Sequence, residues 1–292
     1  MTRQRILTAA VLIPAVVSLV WLGSTALVTL AVALVTILAL LEFFQITESA
    51  GLRGLAGWTA LCSVGVLLIQ FGATSQRVLL WGDGRSRGFF SPAAGVELDS
   101  YRLLALLLFV FVVGAGVAIF VSRRPVREAL GTLSVSAAGL LFVALPLSLL
   151  VRIHGAERVG RKLLLFVLLI VWVGDTLAYF VGRAIGRHPM APKLSPKKTW
   201  EGAVANLLGS LLVGVAFIQF LPMAPRHVLL MAALANAGGQ AGDLLESAYK
   251  RSANVKESGG LLPGHGGMLD RIDAFILAAP VVWYYFVFVV QR

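Results

Sequence analysis

Long apolar runs recur along this chain between short polar connections, and this pattern restricts the fold more than any other feature of the sequence. In a window of ~19 residues, the runs lie at 6–22, 25–46, 57–73, 103–121, 129–151, 163–183, 203–222, 227–248 and 272–290. A helix needs ~20 apolar residues to cross a bilayer, and the sequence lacks the alternation of a membrane β-barrel. It therefore predicts an all-α, polytopic integral membrane bundle of about nine transmembrane helices.

The composition supports this class and excludes others. Of 292 residues, 58% are hydrophobic and 13% are charged, which leaves no room for a large soluble domain and excludes a disordered chain. The net charge of +11 comes from basic residues in the connections, where membrane topology explains them, so we expect no nucleic-acid partner. The single cysteine excludes an intrachain disulfide. We expect one membrane domain over 1–292, with N-terminal helices at 1–151 and the chemistry at 163–290.

Three connections are longer than the others: 74–102, 184–202 and 249–271. The first carries no recognisable chemistry, and we interpret it as a flexible outward loop. The other two are dense in charged residues, glycine, proline and histidine. Because two predicted spans separate them, both are expected on the same face of the membrane, which the distribution of Lys and Arg indicates to be cytoplasmic.

Acidic residues near the C-terminus have the spacing of a cation site. Asp243 and Glu246 are three residues apart, as are Asp270 and Asp273, so each pair projects from one face of a helix. Oxygen ligands without cysteine suit a hard ion such as Mg²⁺, which takes one or two carboxylates and completes its shell with water and phosphate oxygens. The two pairs are therefore expected to meet around a cation.

Basic residues lie between the two acidic pairs. Lys250, Arg251 and Lys256 are suited to neutralise phosphate charge, and nearby glycines let backbone N–H groups approach an anion. Together with the acids they indicate a metal–phosphate site. The alternative is a cytoplasmic loop that obeys the positive-inside rule, with the glycines as helix caps. That alternative accounts for single residues better than for the whole constellation.

The connection at 184–202 and the span before it carry a second polar group. Asp175 interrupts an apolar run, and a carboxylate within a span indicates a functional site unless a basic residue pairs with it. Lys197 and Lys198 follow in the connection. Ser195 and Thr199 are candidates both for helix caps and for phosphate contacts, because a helix N-terminus attracts anions.

Three other polar residues give weaker indications. Glu42, at the end of the second span, is better explained as an interhelical or interfacial partner than as a catalyst. His154 and His188 stand alone in basic connections, and we expect both to be solvated. The motifs GxxxxGK[ST], GxSxG and HExxH do not occur in the sequence.

The run at residues 247–273 closely resembles the signature of phosphatidate cytidylyltransferases, also called CDP-diacylglycerol synthases. The stretches at 175–183 and 194–202 are similar to others shared in that family. Their order, spacing and position after several spans also agree, so the resemblance extends over about 170–275. The sequence departs from the family pattern at Glu257, where the family has Asp, and after Asp175, where larger residues stand.

This resemblance implies transfer of a cytidylyl group from CTP to phosphatidic acid, with Mg²⁺ and in some members a monovalent cation such as K⁺. It also implies a membrane-lipid substrate, an active site at the cytoplasmic face of a bacterial inner membrane, and a homodimer. The residues implied as catalytic are Asp243, Asp270, Lys250, Arg251 and His265. Those implied to bind substrate are Asp175, Ser195, Lys197, Lys198, Thr199, Lys256 and Arg271. The implied metal ligands are Asp243, Asp270, Glu246 and Asp273.

Other functions remain open from the sequence. A CTP-using relative, such as a polyprenol kinase or an archaeal-type cytidylyltransferase, would attack the γ-phosphate or accept a different lipid tail. A transporter is disfavoured because the sequence shows no internal repeat, and a non-catalytic scaffold would not need acids and bases at these spacings. For a lipid substrate we expect a funnel-shaped cavity at the cytoplasmic interface, open both to the bilayer and to water.

Overall fold

The protein is described by a computed structural model over residues 2–80, 99–122, 125–259 and 266–290. Most of the first long connection and His265 lie outside these residues. The α-helices are α1 (Thr2–Leu22), α2 (Thr25–Ser49), α3 (Ala56–Leu80), α4 (Ser100–Val121), α5 (Ala129–Ala138), α6 (Leu145–His154), α7 (Gly160–Ile185), α8 (Trp200–Phe217), α9 (Pro225–Ser252) and α10 (Leu269–Tyr285). A 3₁₀ turn (Val126–Glu128) precedes α5, and π-helical turns join α5 to α6 (Gly139–Ala144) and follow α10 (Phe286–Val290). Two short antiparallel strands, β1 (Pro189–Ala191) and β2 (Ser195–Thr199), form a hairpin.

The predicted all-α membrane fold is confirmed. Each of the nine predicted runs is helical, and eight helices of the described residues are long and apolar enough to cross a membrane. The run at 129–151 belongs to one such span, Val126–His154, which includes α5 and α6. The first run contributes a shorter apolar helix, Ala10–Leu22. Helices are expected here because each backbone polar group must find a partner within its own segment in lipid.

The four C-terminal helices pack in two pairs. Helix α7 packs along α8, and α9 packs along α10, with Phe166, Met231 and Ile276 fully buried between them. Helix α4 is peripheral, because only 11% of its apolar window is buried. Such an exposed apolar surface fits contact with lipid. The polar C-terminal residues therefore lie on helices that pack closely against one another.

Side-chain caps fix where some helices begin. Asp99 precedes α4 and accepts a hydrogen bond of 2.8 Å from the Arg102 backbone N–H. Thr199 ends the hairpin, and its hydroxyl accepts a hydrogen bond of 3.2 Å from the Gly202 backbone N–H at the start of α8. The predicted capping role of Thr199 is thus confirmed.

Some expectations from the sequence are corrected by the structure. The connection at 184–202 contains the β-hairpin, because an extended pair satisfies its backbone groups through cross-strand hydrogen bonds. The expectation that His154 is solvated is wrong. The residue is only 5% exposed, and its ring nitrogens lie 3.1 Å from the Thr25 hydroxyl and 3.1 Å from the Val20 carbonyl oxygen. His188 is exposed as expected, and its ring contacts Glu201.

Candidate active site

Three carboxylates from two neighbouring helices converge at one end of the bundle. Asp243 and Glu246 lie on α9 and Asp273 lies on α10, and one oxygen of each is within 4.8 Å of the others. We call these residues the three-carboxylate group. Glu246 is completely buried, while the other two are half-buried. The prediction that the acidic pairs of the two segments meet is confirmed for these three residues.

Glycines on α9 allow this convergence. A methyl group at Gly242 would come closer than 3.0 Å to the Asp273 carbonyl oxygen, so only glycine permits the present separation of the two helices. One turn earlier, at Gly239, an added methyl group would lie 3.6 Å from Ala274, which is an ordinary contact. The tightest approach of α9 and α10 along this pair of glycines therefore coincides with the carboxylates.

Two lysines partly compensate the charge of the three-carboxylate group. Lys198 of the hairpin forms an ion pair with Asp243, and Lys250 Nζ lies 2.5 Å from Glu246 Oε2. Glu246 Oε1 has no hydrogen-bond partner among the described residues. A buried carboxylate oxygen without a donor is costly, so this group has the unsatisfied negative character that a cation would compensate.

Asp270, the fourth acid of the predicted ligand set, has a different environment. Its carboxylate forms an ion pair with Lys250, which therefore lies between Asp270 and Glu246. It also accepts hydrogen bonds from the backbone N–H groups of Ser258 at 3.0 Å and Gly267 at 2.9 Å. Asp270 thus joins the segment after α9 to the start of α10, and its oxygens are directed to these donors.

A cavity of about 310 Å³ opens beside the three-carboxylate group, between α7, α8, α9 and the hairpin. Among the residues that line it are five of the predicted site residues, namely Asp175, Lys197, Lys198, Thr199 and Asp243. Apolar side chains of Tyr179, Met190 and Leu244 complete part of its wall. Its volume is at the lower end of the range for ligand sites, ~300–1,000 Å³. The cavity therefore brings acids of both polar segments and the two hairpin lysines to one surface.

A chain of amide side chains runs from α9 to Asp175. Gln240 donates to the Asn236 side-chain oxygen at 2.7 Å, and Asn236 donates to Asn206. Asn206 in turn donates to Asp175 Oδ1 at 3.1 Å. Asn236 also contacts the hydroxyl of Ser210 at 2.7 Å. These amides are not among the predicted site residues, although polar residues within apolar runs are the signal that could have found them.

The remaining predicted residues lie around this centre. Arg251 holds two loops, because its Nε donates to the Leu194 carbonyl at 3.1 Å and its Nη1 to the Val255 carbonyl at 3.0 Å. The two polar connections therefore meet on one face, as predicted. Ser195 starts β2 and is half-buried, whereas Lys256 and Arg271 are exposed.

Comparisons with known proteins give one consistent result. The model of the cytidylyltransferase family matches residues 3–289. The chain is 34% identical to a phosphatidate cytidylyltransferase of Haemophilus influenzae, with 99% of this chain and 100% of the relative covered. It is 28% identical to the enzyme of that name from Bacillus subtilis, over 97% of this chain and 96% of the relative. A Brucella abortus protein of that name is 34% identical, with 96% of this chain and 92% of the relative covered. The resemblance noted in the sequence is confirmed.

Proposed function

Because this chain belongs to the cytidylyltransferase family, we propose that it transfers the CMP group of CTP to phosphatidic acid, giving CDP-diacylglycerol and pyrophosphate. The observation that carries the proposal is a single cavity in which two hairpin lysines face Asp243 of the three-carboxylate group. Phosphate substrates need positive side chains, and a cation site beside them is typical of nucleotidyl transfer. The curated relatives carry the same activity in their names.

The proposed reaction requires alignment and charge neutralisation rather than a covalent enzyme nucleophile. A phosphate oxygen of phosphatidate attacks the α-phosphorus of CTP. The bond between this phosphorus and the oxygen that bridges to the β-phosphate breaks, and pyrophosphate leaves with the electron pair. Lys197 and Lys198 bind phosphate oxygens from the hairpin side of the cavity. Asp175, held by Asn206, orients the substrate from α7.

The three-carboxylate group fits a divalent cation. The three acids and Asp270 share two lysine ammonium groups, Lys198 and Lys250, so the carboxylates outnumber the cations, and Glu246 Oε1 lacks a donor among the described residues. We therefore propose that Asp243, Glu246 and Asp273 hold Mg²⁺. When bound, the ion supplies positive charge for the phosphates. In this proposal Asp270 does not bind the ion but holds Lys250, which contacts Glu246.

Several roles stay predictions. Phosphate contacts by Ser195, Thr199, Arg251, Lys256 and Arg271 follow from the family resemblance, and Thr199 also lines the cavity. His265 lies outside the described residues. A requirement for K⁺, a homodimer, and a site at the cytoplasmic face of an inner membrane are further predictions. Exposed apolar side chains beside the cavity, Tyr179 and Phe180 of α7, support access for a lipid from the bilayer.

The test uses purified protein in mixed detergent–lipid micelles with phosphatidic acid, Mg²⁺ and CTP labelled at the α-phosphate. We expect the label to enter lipid, to require Mg²⁺ and to be lost with EDTA. Asp243→Asn should reduce transfer at least a hundredfold, whereas Asp99→Asn, the same change at the distant cap of α4, should leave it unchanged. Transfer of a γ-label to a lipid alcohol would instead identify a kinase, and no transfer by folded protein would refute catalysis by this chain alone.

A further inference from the structure

Glu42 is a buried carboxylate of α2 that belongs to neither the cavity nor the three-carboxylate group. Its exposed fraction is 1%. Its Oε1 accepts a hydrogen bond of 2.9 Å from the Met268 backbone N–H, and its Oε2 accepts one of 2.8 Å from the Leu269 backbone N–H. These N–H groups are at the start of α10, where a helix lacks internal partners. Helix α10 is therefore capped by a residue from the other half of the chain.

The same carboxylate also holds the segment that precedes α10. Ser258 donates its hydroxyl to Glu42 Oε2 at 2.9 Å, and the backbone N–H of the same serine donates to Asp270 at 3.0 Å. A methyl group at Gly259 would lie 2.7 Å from Glu42 Oε1, and one at Gly267 would also collide with this carboxylate. Glycines on both sides thus let the backbone close around Glu42.

The contacts link Glu42 to the three-carboxylate group through a short series of residues. Glu42 fixes Ser258 and the first turn of α10, that turn carries Asp270, and Asp270 contacts Lys250. Lys250 contacts Glu246. Asp273 follows one turn later on α10, so its position also depends on how the start of this helix is held. The negative charge of Glu42 is favourable at this point because it faces the positive end of the helix dipole.

We propose that Glu42 is a positioning residue that sets the cation affinity of the three-carboxylate group by fixing the N-terminus of α10. Its two oxygens accept hydrogen bonds from three donors, and a glutamine would present an amide N–H₂ to at least one of them. Glu42→Gln therefore preserves shape while leaving one donor facing another donor. This inference rests on the proposed function for the identity of the site.

The experiment measures Mn²⁺ binding to substrate-free protein by electron paramagnetic resonance, together with thermal unfolding and the Mg²⁺ dependence of CMP transfer. We expect Glu42→Gln to weaken Mn²⁺ binding and to raise the half-saturating Mg²⁺ concentration by about tenfold, the lower end of the cost of losing a hydrogen-bond partner of a metal ligand, because Glu42 acts on the ligands through the start of α10 and Lys250. Glu48→Gln is the matched control, because Glu48 lies on the same helix in an exposed ion pair with Arg53. This variant should bind Mn²⁺ as the wild type does.

Glu42→Asp keeps the charge and should restore part of the affinity, and it replaces Glu42→Gln if that variant does not fold. Unchanged Mn²⁺ affinity in a folded Glu42 variant would overturn the positioning role, as would lower thermal stability with an unchanged cation dependence. Absence of Mn²⁺ binding by the wild type would overturn both the cation site and this role. Intact Mn²⁺ binding without CMP transfer would overturn the proposed function. In that case the Mn²⁺ affinities of the Glu42 variants alone would support or refute the positioning role.

Discussion

The substitution Gly242→Ala tests whether the close approach of α9 and α10 creates the three-carboxylate group. In Gly242→Ala the new carbon would come within 3.0 Å of the Asp273 carbonyl oxygen, where unstrained contacts need ~3.5 Å. The helices must therefore separate by roughly 1 Å to relieve this clash, which moves Asp273 away from Asp243 and Glu246. Displacements of ~1 Å in a reaction geometry cost ~10²-fold in rate, and overpacking costs ~1–3 kcal/mol of stability.

The matched control is Gly239→Ala, one turn earlier on α9. Its methyl group would lie 3.6 Å from Ala274, and replacing a helical glycine by alanine gains up to ~1 kcal/mol of helix propensity. We expect the control to retain activity within about twofold and to unfold at the same or a higher temperature. CMP transfer and thermal unfolding in detergent measure both effects. Equal activity of the two variants would refute the argument that helix separation sets the carboxylate geometry.

Two further predictions concern residues that support the site. Asn236→Leu removes the link between Gln240 and Asn206, so unpaired polar groups should lower the free energy of unfolding by ~1–3 kcal/mol and slow transfer; an unchanged unfolding temperature would contradict this. Arg251→Lys keeps the charge but cannot hold both the Leu194 and Val255 carbonyls. Loss of one hydrogen bond should lower the free energy of unfolding by ~1 kcal/mol, which thermal unfolding in detergent would show, and an unchanged unfolding temperature would contradict it.

The spans could be predicted because the bilayer allows few structures. Only a helix of sufficient length satisfies its backbone in lipid, so hydropathy located all nine runs. The three-residue spacing of Asp243 and Glu246 likewise placed both on one face of α9, because helix geometry fixes that relation.

The separation of Asp270 from Asp273 could not be predicted. Both contact α9, but Asp270 binds Lys250 and the backbone N–H groups of Ser258 and Gly267, whereas Asp273 meets Asp243 and Glu246. The partner that each acid meets depends on how α9 and α10 pack, and the spacing of the two acids does not specify this packing. The hairpin was missed for a related reason, since β1 spans only Pro189–Ala191 and such a short strand leaves no periodic pattern.

The proposed chemistry depends most on a cation bound where α9 meets α10. Crystals of the protein grown with Mn²⁺ and measured at the manganese absorption edge would locate it directly by anomalous scattering. We predict the strongest peak between the carboxylate oxygens of Asp243, Glu246 and Asp273, and its loss in Asp273→Asn. A peak beside Asp270 instead, or none at the three carboxylates in protein that transfers CMP, would contradict the site described above.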